Sequence, residues 1–137
     1  MNVEGYEIKE DLLYHKEHTW IKKEGEHILI GITDFAQKLA GDITYVDLPS
    51  EGDEIIKDKP FGTIETGKWV GKLYGPVDGE VVEINSDVTD DATVINRKPW
   101  EAWVLKVKVK NPGQINELLQ PGAYANVMRD KLKEIKK

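Results

Sequence analysis

The sequence predicts a mainly β domain with one short internal helix and helices at its C-terminal end. Three observations lead there. From Gly52 to Asn85, Gly52, Pro60, Gly62, Gly67, Gly71, Gly75, Pro76 and Gly79 cut the chain into apolar runs of two to four residues, too short for helices and typical of a small sheet with tight turns. Trp103, Leu105, Val107 and Val109 alternate with Val104, Lys106, Lys108 and Lys110, the period of a half-buried strand with one basic face. After Asn111-Pro112-Gly113 the period lengthens to three and four.

Taken in order, residues 1–13 form an acidic N-terminal extension. His18 to Lys23 and Glu26 to Ile32 read as a hairpin turned at Glu24-Gly25. Thr33-Asp34 offers an N-cap for a short helix through Phe35, Ala36 and Leu39, which Gly41 ends. Ile43 to Leu48 returns to strand and stops at Pro49. Phe61 to Glu65 and Trp69 to Tyr74 flank a turn with Lys68 at its tip, where Gly67 is expected at positive φ; Gly75-Pro76 and Gly79 mark the next turn, at the opposite end. Ile115, Leu118 and Leu119 suit one helical turn, Pro121-Gly122 breaks it, and residues 123–137 form a helix with Tyr124, Val127, Met128, Leu132 and Ile135 as its apolar stripe. Two small antiparallel sheets should pack around Trp20, Ile28, Ile30, Val46, Ile64, Val81 and Leu105, within a single domain over 1–137.

Composition removes several classes of function. The chain has no cysteine, which excludes a disulfide scaffold, a thiolate nucleophile and cysteine-ligated zinc. Any sulfur chemistry must come from a cofactor. A net charge of -6 disfavours nucleic acid as a partner, and no apolar run approaches the roughly 18 residues of a membrane span. The first eleven residues carry Glu4, Glu7, Glu10 and Asp11 and resemble no targeting signal, so a cytoplasmic protein is expected. The basic tail of Lys131, Lys133, Lys136 and Lys137 reads as a solvated helix end.

Candidate chemistry is sparse. His15 and His18 lie three apart in a region read as strand, on opposite faces and with no third ligand nearby, so no metal site is expected. Asp87, Asp90 and Asp91 lack the glycine and terminal glutamate of a calcium loop and suit turn and capping roles. No nucleophile elbow or phosphate loop occurs. What remains is Glu65-Thr66-Gly67-Lys68-Trp69, a hairpin tip that holds a primary amine outward. Such a lysine is either a plain surface residue or the attachment point of a swinging group, and pattern alone leaves both open.

Four blocks carry a resemblance: YHKEHTW (14–20), GITDFAQ (31–37), GDITYVDLP (41–49) and GPVDGEVVEIN (75–85). In order and spacing they resemble the H protein of the glycine cleavage system, over about Tyr14 to Tyr124. The resemblance implies a flattened barrel-sandwich hybrid of the lipoyl/biotinyl-carrier type, a non-catalytic carrier, and lipoate in amide linkage to Lys68, loaded by a lipoate ligase or lipoyl transferase. It implies that the arm carries an aminomethyl group between a pyridoxal-phosphate glycine decarboxylase, an aminomethyltransferase and a dihydrolipoyl dehydrogenase.

Departures from the family pattern accompany it. The family usually shows Glu-Ser-Val-Lys-Ala at the modified lysine, where this chain has Glu65-Thr66-Gly67-Lys68-Trp69. Two family acids of the arm-docking cleft fall at Thr19 and Lys72, and the loop Asn96 to Trp103 is basic. These leave two other readings open: an H-like lipoate-binding protein that carries sulfur intermediates for a heterodisulfide-reductase-like sulfur-oxidation complex, and an interaction domain with unmodified Lys68. A biotin carrier would instead prefer Met on each side of the lysine.

Overall fold

A computed structural model of the protein describes residues 1–135. Along the chain run β1 (Asn2–Val3), β2 (Tyr6–Glu7), β3 (Leu13–Tyr14), β4 (Thr19–Glu24), β5 (His27–Ile32), α1 (Asp34–Ala40), β6 (Ile43–Asp47), β7 (Glu54–Ile55), β8 (Pro60–Thr66), β9 (Val70–Tyr74), β10 (Gly79–Ile84), α2 (Ser86–Asp90), α3 (Val94–Arg97), β11 (Leu105–Val109), a 3-10 turn (Pro112–Glu117) and α4 (Pro121–Ile135). A six-stranded sheet has the order β3-β4-β5-β11-β10-β7, and a three-stranded sheet the order β6-β8-β9. Every pairing between these strands is antiparallel. No helix among the described residues is long and apolar enough to cross a membrane.

Alternation explains why the sheets close on each other. In β5, Ile28, Ile30 and Ile32 face one way, and they join Val46, Ile64, Val81 and Leu105 in the core between the sheets. Burying each such side chain contributes about 1.5–3 kcal/mol. The opposite face of the six-stranded sheet is also covered. There Trp20, Tyr14, Phe35, Tyr124 and Met128 make a second apolar cluster, so the expected core is right in membership but divided by the sheet, with Trp20 on the far side. Gly31, paired with Trp20 across β4 and β5, has the indole against its Cα: a Cβ there would lie 2.1 Å from Trp20 Cε2.

The β4–β5 hairpin turns at Gly25-Glu26, one residue later than expected, because Glu24 pairs with His27 and Gly25 supplies the left-handed backbone (φ 61) at the first turn position. Residues 1–13 pack closely, with Val3, Ile8 and Leu12 buried in the second cluster. Asp34 fastens them. Burial alone would raise its carboxyl, but the Glu7 N–H, the Gln37 amide and Lys38 hold it below the ordinary carboxylate range.

Helices α2 and α3 were not expected. The Asn85 side chain caps α2, accepting from the Asp87 N–H at 3.1 Å, and Asp91 accepts from Thr93 and Arg97. Asn96 then links α3 to the start of β6: its Oδ1 accepts from the Ile43 N–H (2.9 Å), and its Nδ2 donates to the Gly41 carbonyl (2.8 Å) and to Gln37 (3.0 Å).

His15 and His18 lie in the turn between β3 and β4, not in a strand. His18 has φ 73, which turns the chain and aims its ring inward. His15 is buried and its Nδ1 accepts from the Glu17 N–H, so Nε2 carries the proton toward Asp58, 2.7 Å away. Pro121 opens α4 instead of breaking a helix, since its missing N–H costs nothing at a first turn. Tyr124, Met128 and Leu132 are buried as expected, whereas Ile135 is half exposed. Lys136 and Lys137 lie outside the described residues.

Two outcomes follow from this packing. Asn96→Ala leaves the Ile43 N–H and the Gly41 carbonyl without partners and should cost about 2 kcal/mol in urea unfolding. Burial, with Lys131 and His15 adding to it, lowers the His18 pKa from 6.5 to about 4. The unfolded chain therefore binds the proton more tightly, so stability is full above about pH 7 and declines as pH falls from 6.5 to 4, by roughly 3 kcal/mol. His18→Asn, which tolerates the left-handed backbone, should remove that part of the decline when unfolding is compared at pH 4.5 and 7.5.

Candidate functional site

The β8–β9 hairpin presents Lys68 at its tip. Thr66 and Trp69 close the turn: the Thr66 N–H donates to the Trp69 carbonyl at 3.0 Å. The Thr66 hydroxyl oxygen accepts from the N–H groups of Lys68 and Trp69, each at 3.3 Å. Thr66 thus gathers with its side chain the donors that a bare turn would leave to water. This is why Gly67 does not adopt positive φ, contrary to expectation. The hydroxyl organises the reversal, no left-handed residue is needed, and a Cβ on Gly67 would meet nothing within 4 Å. Lys68 is exposed, and among the described residues no carboxylate lies within ion-pair distance of it. Glu65 sits one pair below the tip, flanked by Tyr45 and Val70 across the three-stranded sheet.

Two grooves of about 570 Å³ each open beside this tip. One lies under Lys68 and is lined by Leu39, Gly41, Asp42, Thr44, Thr66 and Trp69 among others. The second runs between α1, the His18 turn and β9. Its walls are Ile32, Ala36, Leu39, Ile64, Leu73 and Trp69, and its polar groups include Glu17, His18, Lys72 and Lys131. Leu39 and Trp69 belong to both grooves and stand between them. A larger polar depression of about 900 Å³ lies against the N-terminal strands and shares no residue with either.

Of the two residues expected in an arm-docking cleft, Lys72 lines the second groove and Thr19 does not. Thr19 is paired with Ile32 in the sheet and is only 1% exposed, and its buried hydroxyl has no hydrogen-bond partner among the described residues. Its neighbours His18 and Ile32 reach the groove in its place. Just beneath lies the Tyr124 hydroxyl, 2.9 Å from His18 Nδ1 and 3.0 Å from Thr33 Oγ1. Burial raises the Tyr124 phenol far above its ordinary range, so it stays a neutral donor.

Sequence reasoning missed Gly71. A Cβ at this position would lie 2.0 Å from Trp69 Cζ3, so the indole rests on the bare backbone of β9. The signal was present, since residues two apart in a strand share a face. Glu17, Leu39 and Lys131 are groove residues with no sequence signal, brought there by the turn before β4 and by the packing of α1 and α4.

Comparison with known proteins follows the same lines. The family model described as glycine cleavage H-protein matches residues 12–131. The chain is 44% identical over 121 residues to the glycine cleavage system H protein of Bacillus licheniformis, covering 88% of this chain and 95% of that protein. It is 44% identical over 124 residues to that of Oceanobacillus iheyensis, covering 90% and 98%. The crystal structure of a glycine cleavage system H protein from Mycobacterium marinum superposes with a TM-score of 0.79 at 31% identity, over 87% of this chain and 97% of the other. Fold, register and nearly full-length similarity agree, and the chain belongs to the glycine cleavage H-protein family, the non-catalytic lipoyl carriers of that system.

Proposed function

We propose that Lys68 carries lipoate in amide linkage and that the loaded arm shuttles an aminomethyl group among glycine decarboxylase, aminomethyltransferase and dihydrolipoyl dehydrogenase. The observation that carries this reading is the exposed amine of Lys68 at the tip of a turn held by Thr66. A lipoate ligase or lipoyl transferase needs an accessible amine in a fixed frame. Lys59 and Lys72 are also exposed, but neither stands at a hairpin tip. Lipoate fits the surroundings, since grooves of about 570 Å³ with largely apolar walls open at Lys68 and at its neighbour Trp69. When bound, lipoate supplies the redox-active disulfide that a cysteine-free chain lacks.

The protein's own residues present, orient and release. Thr66 holds the tip, Glu65 and Trp69 flank it, and the groove lined by Lys72 adjoins it. Amide formation removes the Lys68 charge and with it the tip's only cation. The sulfur-carrying and unmodified readings draw no support from the relatives above, which are glycine cleavage H proteins.

Incubation with a lipoate ligase followed by intact and peptide mass spectrometry should place a single lipoyl increment on Lys68. Lys68→Arg should keep the fold and abolish the increment, because a guanidinium is a poor acyl acceptor. Modification at Lys59 or Lys72, or none on folded protein, would overturn the assignment. Thr66→Val should slow ligase turnover about tenfold while costing no more than about 1 kcal/mol of stability. Gly67→Ala should change both by little, within about 0.5 kcal/mol in unfolding.

A further inference from the structure

Exposed apolar side chains are few on this molecule, and they collect at one end. Seven large ones are exposed among the described residues, and four of them, Leu39, Tyr45, Trp69 and Val70, lie at or beside the Lys68 tip. Leu39 and Trp69 line the groove under Lys68. Tyr45 and Val70 stand in register on either side of Glu65, one pair below the turn. On a chain that is 32% charged, such a cluster marks a surface that another protein covers.

Trp69 is the largest of the four, and the strand provides it with a seat. Its six-membered ring rests on Gly71, where a Cβ would lie 2.0 Å from Cζ3 and 2.6 Å from Cη2. The bare backbone of β9 thus supports the indole while 43% of the residue stays exposed. A large aromatic already seated loses little freedom when it is covered, which is the character of a residue that anchors an interface.

The reach of the lysine selects the partner. From Cα to Nζ a lysine extends about 6 Å, and the next Cα lies about 3.8 Å along the chain. An enzyme that acylates the bare amine must bring an acyl carbon within about 3.5 Å of Nζ, so its surface comes down over the tip and meets residue 69. Proteins that act on the finished arm meet its far end, beyond the lysine by the length of the lipoyl chain.

Resting on the attachment of lipoate at Lys68, we propose that Trp69, seated on Gly71, is a recognition residue for the lipoate ligase, which receives the indole in an apolar recess beside its active site. In the step that this contact serves, Nζ attacks the acyl carbon of a lipoyl adenylate that the ligase makes from lipoate and ATP. The amide C–N bond forms and the bond from that carbon to the phosphate oxygen breaks. AMP leaves with the bonding pair, and the amine loses one proton to solvent. Trp69 takes no part in these bonds. It holds the two proteins together while Lys68 reacts, so its loss is read in KM and not in kcat.

The test uses the unmodified full-length protein with a lipoate ligase, lipoate and ATP, and follows the increment on Lys68 by mass. Trp69→Ala should raise KM about tenfold and leave kcat within twofold, and Trp69→Phe should recover most of the difference. Gly71→Ala keeps the indole but unseats it, and should raise KM at least threefold. Lys68→Arg protein, which binds without being loaded, should inhibit loading of the wild type. The double variant Lys68→Arg with Trp69→Ala should inhibit about tenfold more weakly. In ¹⁵N-labelled Lys68→Arg protein the Trp69 indole N–H should shift or broaden when ligase is added, a reading that needs no change at position 69. A wild-type KM for Trp69→Ala, a loss confined to kcat, or an indole signal unmoved at ligase concentrations where Lys68→Arg inhibits would overturn the inference. Absence of any increment on folded wild type would strike the attachment itself, and mass shows it before any variant is compared.

Discussion

The Tyr124 hydroxyl is the point on which this fold's functional end depends. It joins three segments far apart in sequence: α4 through its own backbone, the N-cap of α1 through Thr33, and the turn before β4 through His18. The Thr33 hydroxyl also accepts from the Ala36 N–H at 3.2 Å, so one pair of side chains both starts α1 and docks α4 onto it. The ring stacks on Tyr14 with centroids 4.5 Å apart, which sets α4 against β3. In a buried setting each of these polar groups is costly to leave unpaired. The groove wall formed by Ala36 and Leu39 is thus tied, through the Thr33 cap of α1, to a buried phenol that also holds α4 and the His18 turn.

Above that rigid base the hairpin tip is organised locally. Its hydrogen bonds run among four consecutive residues, and its frame is the pairing of β8 with β9 and β6. A carrier benefits from this division. The attachment residue is held by short-range bonds within the turn, while neighbouring wall residues such as Ile32, Ile64 and Leu73 belong to the buried core. Thr66 in place of a left-handed glycine gives the tip directed hydrogen bonds and leaves Gly67 free of any conformational demand.

Much of this was legible in the sequence. The two-residue period of β5 and β11, the Thr33 cap and the lysine between two short strands each have a local physical signature, and the register of four blocks located the family. Other features depend on partners that sequence spacing does not reveal. Helices α2 and α3 are too short to carry an apolar stripe; the Asn85 side chain caps α2, and α3 is tied down by Asn96 reaching back to Gly41 and Ile43. His18 takes an unusual backbone because its ring has a buried partner 106 positions away. Pro121 could begin or end a helix, and only the helix that follows decides which. Thr19 fell in register with a cleft residue, yet it is sealed under the groove because its strand neighbour Ile32 is an inner residue of the six-stranded sheet.

Among the described residues strand β9 pairs with β8 alone, which places it at the edge of the three-stranded sheet. Val70 is 58% exposed there, next to the bulky Trp69. An open edge with apolar side chains is a template on which a second copy could continue the sheet. Lys72 stands in the middle of that edge, where extending the sheet would bury an ammonium against a neighbouring strand. The same side chain that lines the groove thus also makes this edge a poor template for another strand.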